Sequence, residues 1–243
     1  WVQLMKRGNK LKKVAILQSN YVPWKGCFDM IAAVDEFIIY DDVQYTNRDW
    51  RNRNKIKTNG QIQWLTIPVY NSRSDMIRDV KVSLENWNVK HWKTLQTSYA
   101  RAPAFRDTSG FLEELYRSQR SAYLSEINVK FIRAINSFLG IDTRITSSSD
   151  YDYGGERSER LLALCKAAGA DIYLSGPAAR SYLDVPLFEQ EKIKVEWMDY
   201  SGYPEYPQMD GPFEHAVSIL DLIFNTGSSA GSFMKFIKKD TAQ

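Results

Sequence analysis

A chain of 243 residues can hold one large α/β domain or two small ones, with a core that needs no metal or disulfide support. Its 44% hydrophobic and 25% charged content is that of a globular protein, and no run approaches the roughly 20 apolar residues of a membrane helix, which excludes membrane insertion by a helix. A net charge of +3 is too small for a DNA-binding footprint, so any anion site must be local.

Residues 1–13 are basic and lack the apolar centre of a signal peptide, which reads as an extension ahead of the fold. Residues 14–17 are predicted as a strand, 18–26 as a polar loop, 27–34 as a short helix and 37–40 as a second strand, followed by a charged loop over 41–54. Two short apolar strands joined by a helix make a right-handed parallel crossover. The run Ile62-Gln63-Trp64-Leu65-Thr66-Ile67-Pro68-Val69 predicts a third strand, stopped by Pro68 and by Asn71-Ser72. Residues 80–84 read as a short edge strand. From Asn88 the spacing turns helical, with Trp92, Leu95 and Tyr99 on one face and Pro103 beyond it. Helices at 110–116 and 124–139 follow, the second with Ile127, Phe131, Ile135 and Phe138 as its stripe and Gly140 as its stop.

Strands are then predicted at 143–147, 171–174 and 195–198, with helices at 156–168, 178–182 and 187–191 between them. Residues 200–213, rich in proline and aromatics, should form an irregular packed loop, and 217–225 a last helix opened by His215. Cys27 and Cys165 both fall in predicted helices with apolar neighbours and read as reduced, buried thiols. The whole is an α/β fold of Rossmann-like type: a mostly parallel sheet flanked by helices, spanning 14–227, with a helical insert at about 88–140 and a tail at 228–243.

Ligands of parallel sheets bind where the carboxyl ends of the strands meet their loops. The first such loop supplies Gln18, Ser19, Asn20, Tyr21, Trp24 and Lys25. The second supplies Asp41, Asp42, Gln44, Arg48, Trp50, Arg51, Asn52, Arg53 and Asn54. Arg48, Arg51, Arg53, Lys55 and Lys57 fall within ten residues, interleaved with asparagines. Guanidinium forks grip phosphate oxygens in pairs and asparagine adds neutral donors, so the composition suits a phosphorylated ligand. A solvated surface loop is the competing reading. Asp41 and Asp42 could hold magnesium with substrate phosphates, orient a hydroxyl or act as base, or pair with the nearby arginines. His91 is the neutral-pH proton carrier outside the tail, or a packing residue beside Trp92. Ser175 and Gly176 form another strand-end turn. Walker A, GxGxxG and HExxH sequences are absent.

The strand, Pro23-Trp24-Lys25-Gly26-Cys27 and helix resemble the opening of the nucleotidylyltransferase superfamily. That superfamily's phosphate signature is histidine, any residue, glycine, histidine. Gly26 is kept, whereas Trp24 and Cys27 stand at the histidine positions, so the resemblance implies the fold and not adenylyl transfer. A second resemblance covers about 14–227. Gln18-Ser19-Asn20-Tyr21-Val22-Pro23-Trp24-Lys25-Gly26, Asp41-Asp42-Val43-Gln44, Trp50-Arg51-Asn52-Arg53-Asn54, Tyr173-Leu174-Ser175-Gly176-Pro177, Tyr206-Pro207-Gln208 and Ser218-Ile219-Leu220-Asp221-Leu222-Ile223-Phe224-Asn225 together resemble the WbqC-like family.

That family's genes lie among those for bacterial O-antigen and other surface polysaccharides. The resemblance therefore implies a cytoplasmic role on a nucleotide-linked sugar. Transfer of an acyl or aminoacyl group, glycyl for example, to a nucleotide-linked amino sugar is the leading expectation. Asp41, Asp42 or His91 would take the proton and Ser175 would steady the oxyanion. The donor stays open among ATP-derived, thioester and aminoacyl-tRNA species. Nucleotidyl or phosphoryl transfer with magnesium, and a non-catalytic nucleotide-sugar-binding module, are the alternatives; a homodimer is compatible with each.

Overall fold

The parallel sheet begins with Lys13–Leu17 (β1) and Glu36–Ile39 (β2), which place Ala15 opposite Phe37 and Ile16 opposite Ile38. The protein is described from a computed structural model over residues 10–70 and 75–237; the first nine residues of the expected extension, the Asn71-Ser72 strand stop and the end of the tail lie outside the described residues. Between the two strands runs the helix Lys25–Ala32 (α1), buried from Lys25 to Ile31, which is why it shows no polar stripe. Asp29 on that helix is fully buried, and its carboxylate accepts the backbone N–H groups of Lys235 and Phe236 at 2.8 and 2.9 Å. The far end of the chain is thereby fastened to the first helix.

A long connection leaves β2 before the sheet resumes. It holds the antiparallel hairpin Arg53–Thr58 (β3) with Gln61–Thr66 (β4), then the short ladder Val69–Tyr70 (β5) with Lys81–Val82 (β6). Three helices follow: Trp87–Tyr99 (α2), Phe105–Arg117 (α3) and Leu124–Leu139 (α4). The chain then re-enters the sheet as Arg144–Ser147 (β7), Ile172–Ser175 (β8) and Lys194–Trp197 (β9), crossing over through Arg157–Ala167 (α5) and Val185–Gln190 (α6). Ile219–Thr226 (α7) comes last, its N-terminus capped by Ser218 Oγ. The strand order is β7-β2-β1-β8-β9, parallel throughout, which is Rossmann-like topology.

Strand residues alternate between two cores. Ala15, Phe37, Ile39 and Leu174 face the one shared with α1, α2, α3, α4 and α7, while Val14, Ile16, Ile38 and Tyr173 face the one shared with α5 and α6. Cys27 lies in the first and Cys165 in the second, each a free buried thiol. No helix among the described residues is long and apolar enough to cross a membrane.

Three local expectations are corrected. Residues 53 and 54, expected to end the charged loop, instead open a strand that runs to Thr58, and the strand expected at 62–69 ends at Thr66 and pairs with it, outside the parallel sheet. The cause is Asn59-Gly60, whose positive φ values of 48° and 74° are those of a tight two-residue hairpin turn. Helix α3 starts at Phe105, with Gly110 inside it instead of opening it. Burial of Leu112, Leu115 and Tyr116 outweighs the ~1 kcal/mol that a helical glycine costs. His215 precedes the last helix, whose cap is Ser218.

Candidate functional site

Chain connections leave β1 toward β2 on one side, while β8 lies on its other side, so the crevice between the carboxyl ends of β1 and β8 is the topological switch point. A cavity of about 330 Å³ lies there, lined by Gln18 after β1, by Ser175 and Gly176 at the end of β8, and by Tyr40, Arg157 and Tyr182. A second cavity, of about 260 Å³, is lined by Asn20, Pro23, Trp24, Trp50, Asn54 and Ala216. Arg51 lines neither but is bonded to both walls. Its guanidinium donates to Asn20 Oδ1 and, at 3.3 Å, to Gln18 Oε1, one lining residue of each cavity. The side chain is 13% exposed and its ion-pair partner, Asp49, stands 3.8 Å away. Burial pulls the Arg51 pKa below its ordinary value, while Asp49 and Asp41 act against that shift.

The first loop is held in a strained shape. Val22 has φ 34°, a left-handed conformation that a β-branched residue seldom adopts. Asn54 Nδ2 donates to the carbonyls of Tyr21 and Val22 at 3.1 and 3.0 Å, Ser218 Oγ donates to Val22 O at 2.7 Å, and Tyr21 N–H donates to Trp50 O at 3.0 Å. Such over-determined strain is characteristic of ligand loops. Ser19 is fixed by its N–H to Asp41 and by Asn128, which donates to its Oγ at 3.2 Å. Trp24 lies across Gly26, where a Cβ would stand 2.3 Å from the indole, and packs edge-on to Tyr200 and Tyr203.

The paired aspartates diverge. Asp41 accepts from Ser19 N–H at 2.8 Å and from Ser125 Oγ, tying the first loop to α4. Asp42 accepts from Ser148 Oγ at 2.5 Å, from Tyr153 OH and from Arg160 at 3.3 Å. Burial alone would raise the Asp42 pKa; those hydrogen bonds and the Arg160 charge hold it below the usual carboxylate value. Among the described residues no three His, Cys, Asp or Glu side chains are grouped to hold a metal ion.

His91 is buried away from the cavity linings. Its Nε2 lies 3.0 Å from the Thr66 carbonyl and its Nδ1 2.8 Å from Tyr21 OH. A carbonyl only accepts, so Nε2 carries the proton, Nδ1 accepts from Tyr21, and Tyr21 in turn accepts from Tyr116 OH at 2.6 Å. Both ring nitrogens are thus engaged, and burial drives the His91 pKa down to about 4. Lys25 is 3% exposed at the start of α1, within 5.0–5.7 Å of the ring centres of Tyr203, Tyr206 and Phe213, and donates to Pro204 O at 3.2 Å. Burial lowers its pKa to about 8 against the raising effect of Asp29, Asp221 and Glu205.

The remaining candidates spread outward. Asn52 bonds the backbone of Ile67, and Arg53 stacks on Trp64 with its carbon 4.1 Å from the ring centre while donating to Arg48 O. Gln44 bridges to Met76, and Arg48 is exposed. Of the cations at 48–57, Arg51 is the one turned to Gln18 and Asn20. Tyr40, Arg157, Tyr182 and Ala216 were not legible as lining residues. Gly154-Gly155, in the loop ahead of α5, was the available signal for Arg157, since glycines before a helix at a strand end mark a ligand approach.

These features define an α/β protein of Rossmann-like topology with one cavity at the switch point and a second lined by the loop after β1. The chain belongs to the WbqC-like protein family, which matches residues 18–233. It is 47% identical over 231 residues to an uncharacterized protein of Mycobacterium tuberculosis (strain H37Rv), Rv1507c, an alignment covering 94% of this chain and 100% of that one. No solved structure matches the chain.

Proposed function

We propose that the protein is a transferase of bacterial surface-polysaccharide biosynthesis that adds an acyl or aminoacyl group to the amine of a nucleotide-linked amino sugar. The observation that carries this reading is Arg51, whose side chain is 13% exposed and whose guanidinium donates to the neutral amides of Gln18, in the switch-point cavity wall, and Asn20. Two hydrogen bonds to neutral amides and a long ion pair to Asp49 leave the guanidinium with donors a diphosphate can take up. WbqC-like membership supports a role in polysaccharide biosynthesis.

In this reading Gln18, Ser175 and the Gly176 backbone contact the nucleotide. Asp41 and Asp42 position the loops, because their oxygens are occupied by the protein's own donors. His91 plays no part in proton transfer. An amine of ordinary α-amino basicity releases its proton near pH 8, so attack on an activated carbonyl needs orientation more than a strong base. Because Asp41 and Asp42 turn into separate networks, no metal-dependent step is assigned to them.

The test is mass spectrometry of reactions combining nucleotide amino sugars with thioester, acyl-adenylate and aminoacyl-tRNA donors. A product heavier by the acyl group is the expected outcome, with Arg51→Ala weakening nucleotide-sugar binding by about 2 kcal/mol. Binding without any product mass would leave a recognition module, and release of pyrophosphate would identify nucleotidyl transfer instead.

A further inference from the structure

The two cavities differ in chemistry as well as place, and their difference assigns the halves of the ligand. Resting on the nucleotide-sugar reading above, we infer that the switch-point cavity takes the nucleoside and the cavity beneath Trp24 and Trp50 takes the sugar, with Arg51 on the diphosphate between them. At about 330 and 260 Å³, each sits near the lower edge of the ~300–1,000 Å³ range of small-molecule sites. Neither holds a whole nucleotide sugar alone. Arg51 is in neither lining, but its guanidinium donates to Gln18 Oε1 in the wall of one and to Asn20 Oδ1 in the wall of the other, which makes it the cation adjacent to both and the group a diphosphate spanning them would meet.

The switch-point cavity has walls suited to a flat heterocycle. Ile16, Leu161 and Ala178 are apolar, Tyr40 adds a phenol, and Tyr182, 70% exposed, supplies a ring able to close over a base. Trp24, Trp50 and Pro23 instead give the second cavity broad apolar faces that match the C–H face of a pyranose ring. Amides accompany them: Asn20 gives its Oδ1 to Arg51 and keeps its Nδ2 donors for hydroxyls. Trp50 extends this face outward by packing on Trp64 at 5.4 Å between ring centres.

Two exposed rim alanines allow each cavity to be filled without disturbing the core: Ala178 at the first and Ala216 at the second. The probes are UDP, GDP, CDP and dTDP, and the hexosamine derivative of whichever diphosphate binds, in titration calorimetry with melting temperature as a folding control. Ala178→Trp should weaken the bare nucleoside diphosphate at least tenfold. Ala216→Trp should leave that affinity within twofold and remove the difference between the bare diphosphate and its hexosamine derivative. The reverse pattern, or equal loss of the bare diphosphate in both variants, overturns the assignment while leaving the nucleotide-sugar reading standing. A wild-type protein that binds none of the diphosphates or nucleotide sugars overturns that reading, and the assignment with it.

Discussion

His91→Gln isolates one buried titration. In the folded chain the His91 pKa is about 4, against 6.5 for an unperturbed imidazole, because burial penalises the charged ring and the Thr66 carbonyl only partly offsets this. The folded pKa lies below the unfolded one, so as pH falls through 6.5 the unfolded chain takes up the proton first. Stability is therefore whole above 6.5 and declines toward 4, where both states are protonated. Between pH 7 and pH 5 the imidazole should remove about 2 kcal/mol, the cost of holding it neutral 1.5 units below its unfolded pKa at about 1.4 kcal/mol per unit. Glutamine can keep both contacts, with Nε2 donating to Thr66 O and Oε1 accepting from Tyr21, but it does not titrate. Urea unfolding of both proteins at pH 7 and pH 5 reads the difference, since exposed His215 and the carboxylates are common to the two. Wild type should lose about 2 kcal/mol more than the variant. Equal losses would refute the claim that the ring is kept neutral by burial, and loss of turnover in a folded His91→Gln protein would return it to proton transfer.

Three further substitutions probe the scaffold of the cleft. Tyr21→Phe leaves His91 Nδ1 and Tyr116 OH short of a buried partner and should cost about 1–3 kcal/mol in urea unfolding at pH 7. Asn54→Ala frees the carbonyls that hold Val22 at φ 34°; hydrogen exchange over residues 19–24 should accelerate, with a stability loss of about 2 kcal/mol. Unchanged exchange would show that Ser218 alone maintains the strained turn. Gly26→Ala places a methyl where the Trp24 indole lies, and because Tyr200 and Tyr203 pack on that indole it should destabilise by about 1–3 kcal/mol. A crystal structure of the variant with Trp24 unmoved would exclude that account.

Much of the architecture was legible because it is written in local periodicity. Short apolar strands separated by helical patterns announced a parallel sheet, and the stripe from Ile127 to Phe138 set α4 to the residue. The β3 strand escaped because Arg53-Asn54-Lys55-Ile56-Lys57-Thr58 is polar at most positions. Its place is decided by the Asn59-Gly60 turn and the partner strand it faces.

The site divided in the same way. Residue types and strand-end positions were enough to nominate Gln18, Asn20, Arg51 and Ser175, since loops at the carboxyl ends of parallel strands must meet. Which member of a cationic run turns inward was not contained in its composition: Arg51 and Arg53 are the same residue type two positions apart, yet one donates to Gln18 and Asn20 and the other stacks on Trp64. Chemistry that looks free in a sequence is likewise spent only when distant segments arrive, as Tyr21 and Thr66 do at His91 and Ser148 and Tyr153 at Asp42. Sequence by itself set which groups were available and along which strands; the packing of segments far apart in the chain decided which of them remain for a ligand, because a buried polar atom is satisfied by whatever neighbour the fold supplies.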